Sequence, residues 1–256
     1  VVLAPLVGAF ADAMPKGKVM FISNAIKVVG CLMMLFGTHP LLSYAIVGLG
    51  AAAYSPAKYG ILTELLPASQ LVKANGWIEG LTIASIILGI LLGGQLIGSA
   101  VSAQLLALDI PLINIGIDSA PEAAIGVIIF VYLLAAWFNT RIPHTGVEMR
   151  PLRANPQQSH IRNLAGLLPD FWQCNKRLWN DRLGQISLAT TTLFWGAGGN
   201  LKYIVLAWAS LALGYNTAQA SSLTGVVAIG TAVGAVVASM RMRLYMATRV
   251  IPLGIA

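Results

Sequence analysis

Apolar positions in this chain come in long continuous runs, without the alternation that marks a half-buried strand. Residues 19–37, 41–66, 72 to about 106, 123–142, 184–213 and 222–240 each read as one run. A helix needs about 20 apolar residues to cross roughly 30 Å of hydrocarbon. Six complete spans are therefore predicted, with residues 1–11 as the tail of a further helix. Both ends of the sequence are expected to cut through helices. The third run exceeds the length of a span, so it is expected to tilt or to project from the bilayer. Helices are preferred to a barrel because lipid-facing strands would alternate.

Composition agrees: 57% of residues are hydrophobic and 10% charged, where a soluble domain carries about 25% charged. The predicted fold class is an all-α integral membrane protein.

The charges are placed in a pattern. Lys16, Lys18 and Lys73 lie in or beside loops. So do Arg141, Arg150, Arg153, Arg162, Lys176, Arg177 and Arg182, and then Arg241, Arg243 and Arg249. The connections 38–40, 109–122 and 214–220 carry no Lys or Arg. Every second loop is basic, which places those loops in the cytoplasm. The net charge of +7 is thus a topology signal and argues against nucleic-acid binding. Cys31 and Cys174 give no disulfide or metal spacing, and His39, His144 and His160 are isolated in loops. No cofactor is implied.

Four charges remain inside spans: Lys27, Lys58, Glu79 and Lys202. Ionisable groups in hydrocarbon are costly and mark functional sites by default. Lys27, Lys58 and Glu79 lie about 10 to 15 Å deep from the cytoplasmic end, at 1.5 Å per residue. Lys58 and Glu79 flank the turn at 66–70 and are expected to pair as a latch closing a cavity. Snorkelling of Lys27 and Lys58 to the interface is the alternative. Lys202 lies near mid-membrane and has no acid in its own helix. The run Gly196-Ala197-Gly198-Gly199-Asn200 before it is a poor helix interior. It reads either as the interruption that lines a transporter cavity or as a close-packing surface. For Gly89, Gly93, Gly94 and Gly98, close helix packing is expected. Residues 163–180 mix Leu164, Leu167, Leu168, Phe171, Trp172, Leu178 and Trp179 with basic residues. That mixture fits an interfacial amphipathic helix, kinked at Pro169 or starting there, or else a plain linker.

A resemblance gathers these features. Gly8, Asp12 and Lys16 in GAFADAMPKGK resemble the loop motif after helix 2 of major facilitator superfamily transporters, with Pro15 where Gly is usual. AAAYSPAKYG (51–60), LVKANGWIEG (71–80), LFWGAGGNLKYIVLAW (193–208) and VVAIGTAVGA (226–235) are similar to the bacterial lysophospholipid transporter (LplT) family.

The resemblance implies a fragment, from about helix 2 to helix 9, of a twelve-helix bundle. Residues 1–142 would belong to the N-terminal half, 143–183 to a cytoplasmic central loop and 184–256 to the C-terminal half. It implies a multi-pass carrier in a bacterial inner membrane that moves lysophospholipids to the cytoplasmic side for reacylation. An acyltransferase/acyl-carrier-protein synthetase would be the partner. Lys202 would meet the substrate phosphate, with Asn200, Tyr203 and Trp195 around it. Lys there keeps the charge of the Arg familiar in the family but loses its bidentate fork. Asp12 and Lys16 would serve gating, with Lys27, Lys58 and Glu79 as gating or structural charges. Two other classes compete. A proton-coupled exporter of another small amphiphile would use Glu79 as its protonation site. A membrane acyltransferase is disfavoured, because no His is followed five residues later by Asp.

Overall fold

The computed structural model describes residues 3–97, 119–149 and 160–241. These residues form eight helices: α1 (Ala4–Asp12), α2 (Lys16–Leu35), α3 (Pro40–Leu65), α4 (Ala68–Ile97), α5 (Ala120–Asn139), α6 (His160–Asn180), α7 (Arg182–Leu213) and α8 (Thr217–Arg241). Among the described residues there is no strand. Lys16–Leu35, Ala68–Leu96 and Ala120–Asn139 are long and apolar enough to cross a membrane. α3 and α7 have the length, at 26 and 32 residues, but carry more polar positions and fall short in apolarity, and α8, 25 residues long, holds the apolar stretch Gly225–Gly234.

The helix ends are set by local chemistry. Leu66 is extended (φ −124°, ψ 142°), as a residue before proline must be, and it stops α3. α4 then begins at Ala68, so the expected five-residue turn shrinks to Leu66-Pro67. Its continuation towards residue 106 lies outside the described residues. At α5 the Ser119 N–H donates to Glu122 Oε2 (3.0 Å), half of a capping box. At α8 the box is complete. The Asn216 N–H donates to Gln219 Oε1 (3.1 Å), and the Gln219 N–H donates to Asn216 Oδ1 (2.9 Å). Asp181 caps α7 by accepting from the Gly184 N–H at 2.8 Å. Gly214 ends that helix in the left-handed region (φ 65°), where a side chain would be strained.

The helices form two compact units. The first comprises Val1–Leu66 and Ile125–Asn180, the second Pro67–Ala124 and Asp181–Ala256. The second unit therefore draws on chain from both sides of the central polar stretch, while the first ends within it.

In the first unit α2 lies close against α3. A Cβ at Gly50 would stand 2.6 Å from the Ser23 carbonyl oxygen, and one at Gly30 would stand 2.7 Å from Val47 Cγ2. Only hydrogen fits at both places. The seam buries Ser23 and Ser43 completely: the Ser23 hydroxyl donates to the Val19 carbonyl oxygen of its own helix, and Ser43 Oγ meets Thr38 Oγ1 at 2.6 Å in the turn between α2 and α3. Ala11, Val19, Met20, Ala57 and Ile61 complete the core, with Phe10, Met14, Tyr54 and Ile142 packed on them. α6 packs against α1 and runs unbroken from His160, so Pro169 lies inside the helix and does not start it. Leu168, Phe171, Trp172, Leu178 and Trp179 on α6 are exposed.

In the second unit α4 and α8 pack antiparallel. Gly80 meets Val236 (3.9 Å to a built Cβ), and Gly225 meets Leu91 (3.5 Å) and Ile87. The contact face of α4 is Gly80-Ile83-Ile87-Leu91, at helical spacing. Gly89 and Gly93 fall on the opposite side, with nothing within 4 Å of a built Cβ among the described residues. Gly89 and Gly93 of the expected glycine stripe are thus not on this packing surface, whereas Gly98 lies outside the described residues, and α8 brings Gly225 to the contact.

One substitution tests the α2–α3 seam. Gly50→Val should destabilise the full-length protein by about 1–3 kcal/mol, because it pushes α2 and α3 apart. Gly89→Ala should be neutral or slightly stabilising. Thermal unfolding of the purified protein in detergent reads both. Equal melting of Gly50→Val and wild type would contradict the close approach.

Candidate functional site

The first cluster of charge lies where α1 hands over to α2. α1 ends at Asp12, and Pro15, fixed at φ −53°, turns the chain into α2, whose first residue is Lys16. Lys16 is buried, 8% exposed, which a lysine tolerates only when paired. Its Nζ donates to the Ala11 carbonyl oxygen (2.8 Å) and to Asp12 Oδ1 (2.7 Å), and Glu64 Oε1 lies 3.6 Å away. The ammonium therefore sits on the negative end of α1 and between two carboxylates. Gly60 makes room for it: a Cβ there would be 3.3 Å from Lys16 Cε. Thr145 Oγ1 donates to the other oxygen of Glu64 at 2.6 Å, tying the start of the central stretch to the end of α3. A cleft of about 290 Å³ opens beside the cluster, lined by Asp12, Lys16, Glu64, His144, Thr145 and Glu148.

Asp12 and Lys16 were both legible from the loop motif. Glu64 and Thr145 were not. Glu64 carries a signal in hindsight, as a lone carboxylate in the last turn of α3 with no cation of its own on that turn.

A second charge lies deeper in the same unit. Lys27, near the middle of α2, holds its Nζ over the Tyr54 ring (4.6 Å) and the Tyr132 ring (5.2 Å). It donates to Asn24 Oδ1 at 3.2 Å. Asn24, only 2% exposed, is a residue that sequence reasoning missed. Lys58, also in the first unit, is half-buried with its Nζ 4.6 Å from the Tyr59 ring. Glu79, on α4 of the second unit, is half-buried.

The remaining predicted residues share α7. The helix is continuous through Gly196–Asn200, so the glycine run does not interrupt it. The physical reason is that glycine keeps both backbone groups, and an apolar surrounding forces them to bond along the helix. Asn200 Nδ2 donates back to the Gly196 carbonyl oxygen at 2.9 Å, so this side chain is held by its own helix. Trp195, Gly199 and Lys202 fall on one face by helical spacing, with Tyr203 displaced round the helix. Trp195 and Tyr203 are exposed, and Lys202 is half-buried. Among the described residues no carboxylate lies within ion-pair distance of Lys202. Nor do the described residues contain a group of three His, Cys, Asp or Glu that could hold a metal.

Comparison with known proteins supplies the family context. The family model of the Major Facilitator Superfamily matches residues 1–256. The chain is 40% identical over 261 residues to proteins named "Lysophospholipid transporter LplT" from Yersinia pestis (strain Pestoides F) and from Yersinia pseudotuberculosis serotype O:3 (strain YPIII). Those matches cover 100% of this chain and 56% of each relative, so the chain spans about half the length of the curated relatives it matches. No solved structure matches.

The Lys16 cluster yields a direct expectation. Lys16→Ala should destabilise the full-length protein by about 1–3 kcal/mol, the worth of charge-assisted hydrogen bonds with partners left behind. Lys18→Ala, at an exposed position on the same helix, should lie within about 0.5 kcal/mol of wild type. Chemical or thermal unfolding separates the two, and matching losses would show that Lys16 is an ordinary loop lysine.

Proposed function

The chain belongs to the Major Facilitator Superfamily, and from that premise we propose that it moves lysophospholipids across a bacterial inner membrane to the cytoplasmic side, for reacylation. The observation that carries this reading is 40% identity, over the whole of this chain, to proteins named lysophospholipid transporters. The chain is a multi-pass membrane protein, and superfamily membership points away from an enzyme. An acyltransferase/acyl-carrier-protein synthetase is the proposed consumer of the product. Residues 1–142 and 184–256 are assigned to the two halves of the transporter. The basic loops, including 143–183, are assigned to the cytoplasm by their Lys and Arg content. α6 is assigned to the membrane surface, since its exposed Leu168, Phe171, Trp172, Leu178 and Trp179 suit the headgroup boundary.

Lys202 is the proposed phosphate contact. A single-chain phospholipid needs a cation for its phosphate and an apolar wall for its acyl chain. α7 offers a half-buried ammonium on a face shared with the exposed Trp195, and Tyr203 widens that surface. A cation in a low-dielectric site gains most when an anion arrives. Asn200 is the weakest member of the set, because its amide already bonds to Gly196. Lys58 and Glu79 are proposed as a gating pair, on the strength of opposite charge and half-burial in successive helices.

Uptake of labelled lysophosphatidylethanolamine into right-side-out vesicles carrying the full-length protein tests the assignment. Lys202→Ala and Lys202→Glu should abolish transport at normal expression, while Lys202→Arg should retain much of it. Wild-type rates in Lys202→Ala would remove Lys202 from the site. Collapse of uptake with the proton gradient alone, without lysolipid selectivity, would favour the exporter reading. For the gating pair, a double-mutant cycle with Lys58→Met and Glu79→Gln should give a coupling of about 0.5–3 kcal/mol. Simple additivity would separate the two residues.

A further inference from the structure

We propose that Asn24 and Lys27 on α2 form a second anion site, one that takes a phosphate group inside the first unit. Lys27 contrasts with Lys16, eleven positions earlier on the same helix. Lys16 has two carboxylates and a helix end around it, whereas among the described residues no carboxylate lies within ion-pair distance of Lys27. A cation in an apolar helix without a counter-ion is one that a mobile anion can serve.

The side chain is held in place to do so. Gly50 on α3 stands directly behind its stem, since a Cβ there would lie 2.8 Å from Lys27 Cγ. One turn further along α3, Tyr54 offers its ring face to the ammonium at 4.6 Å, and Tyr132 on α5 offers another at 5.2 Å. Ring faces are electron-rich. They steady the cation but supply no negative charge, and they repel an anion from those two directions.

Asn24 is the third group at the ammonium. Its Oδ1 accepts from Lys27 at 3.2 Å, which leaves Nδ2 on the same amide as a second donor beside the ammonium. Asn24 is 2% exposed, and its Nδ2 has no acceptor among the described residues. A buried donor of that kind is costly to leave unmet. One phosphate group meets both needs, because its several oxygens can accept from the ammonium and from the amide together. Two sources carry that chemistry: the phosphate ester of a lipid headgroup, which rests on the transport reading above, and free inorganic phosphate, which does not.

The decisive variant is Asn24→Asp. It is nearly isosteric and places a carboxylate about 3 Å from Lys27, so the protein supplies its own anion and the site is filled from within. The full-length protein should fold at least as well as wild type, which keeps binding readable. Lys27→Gln is the companion variant. Tryptophan fluorescence titrations in detergent would use three probes: lysophosphatidylethanolamine, inorganic phosphate, and monoolein as the phosphate-free amphiphile. In both variants the Kd for lysophosphatidylethanolamine should rise about tenfold or more, with monoolein unchanged. That result assigns the site to a lipid headgroup. If inorganic phosphate binds the wild type and loses affinity in both variants while the lysolipid does not, the site is one for free phosphate. If both variants bind lysolipid and phosphate as wild type does, the inference is overturned, while transport by the wild type would leave the carrier reading standing. Absence of any binding by wild type overturns both.

Discussion

A charge carried among apolar helices has to be met by something, and three lysines here are met in three different ways. Lys16 is met by two carboxylates and the carbonyl end of α1. Lys27 is met by two aromatic faces and one amide oxygen. Lys202 is half-buried without a carboxylate in ion-pair range among the described residues. The series runs from full neutralisation to none. A neutralised ammonium fastens helices together, while an unneutralised one keeps its field for a ligand. The structural role should therefore weigh most at Lys16 and the binding role most at Lys202, with Lys27 between them.

What holds Lys16 and Lys27 in register is the seam between α2 and α3. Gly50 lets α3 reach the backbone of α2 and also backs the Lys27 stem, while Gly60 leaves the space that Lys16 Cε occupies. Both glycines lie on α3 and both lysines on α2. Packing in a lipid surrounding lacks a hydrophobic drive between helices, so close van der Waals fit and local polar contacts must do the joining. Here the same missing side chains provide both. The closeness of the seam also argues against snorkelling for Lys27, since its stem is pressed against α3 and its ammonium is over two rings.

Much of this was legible in the residues, and the failures have physical causes. The apolar runs located the membrane helices, because hydrophobicity is a property of the residues themselves. Their starts were placed late at α4, α5 and α8, since the first turns there are polar: Ala68-Ser69-Gln70, the Ser119–Glu122 cap and the Asn216–Gln219 box. The capping signals were in the sequence and outweigh hydropathy at a helix end. Asp12 and Lys16 were found because a loop motif joins them. Glu64, Thr145 and Asn24 were not, because each acts on a group in another turn or another helix, and periodicity does not reveal which helix a face will meet. Gly89 and Gly93 failed for the same reason: spacing marked a stripe of small residues, but the face that α8 chose was Gly80-Ile83-Ile87-Leu91.

The glycine run before Lys202 shows how a correct signal can carry a different meaning. Three glycines in five residues invite the expectation of a broken helix, yet α7 passes through them intact. Their effect lies on the surface instead. At Gly196, Gly198 and Gly199 nothing stands within 4 Å of a built Cβ among the described residues, so the helix is bare on the turn before the ammonium. Trp195 stands just N-terminal to that bare strip, and Lys202 follows it. A long side chain in the strip would crowd a phosphate-sized group approaching Lys202, and a β-branched one would stiffen the helix as well. The proposed substrate asks for this shape: a cation with free space beside it and an aromatic wall within a turn or two. For a carrier the cation is useful only if a headgroup can reach it, so the absent side chains matter to that reading as much as the charge does.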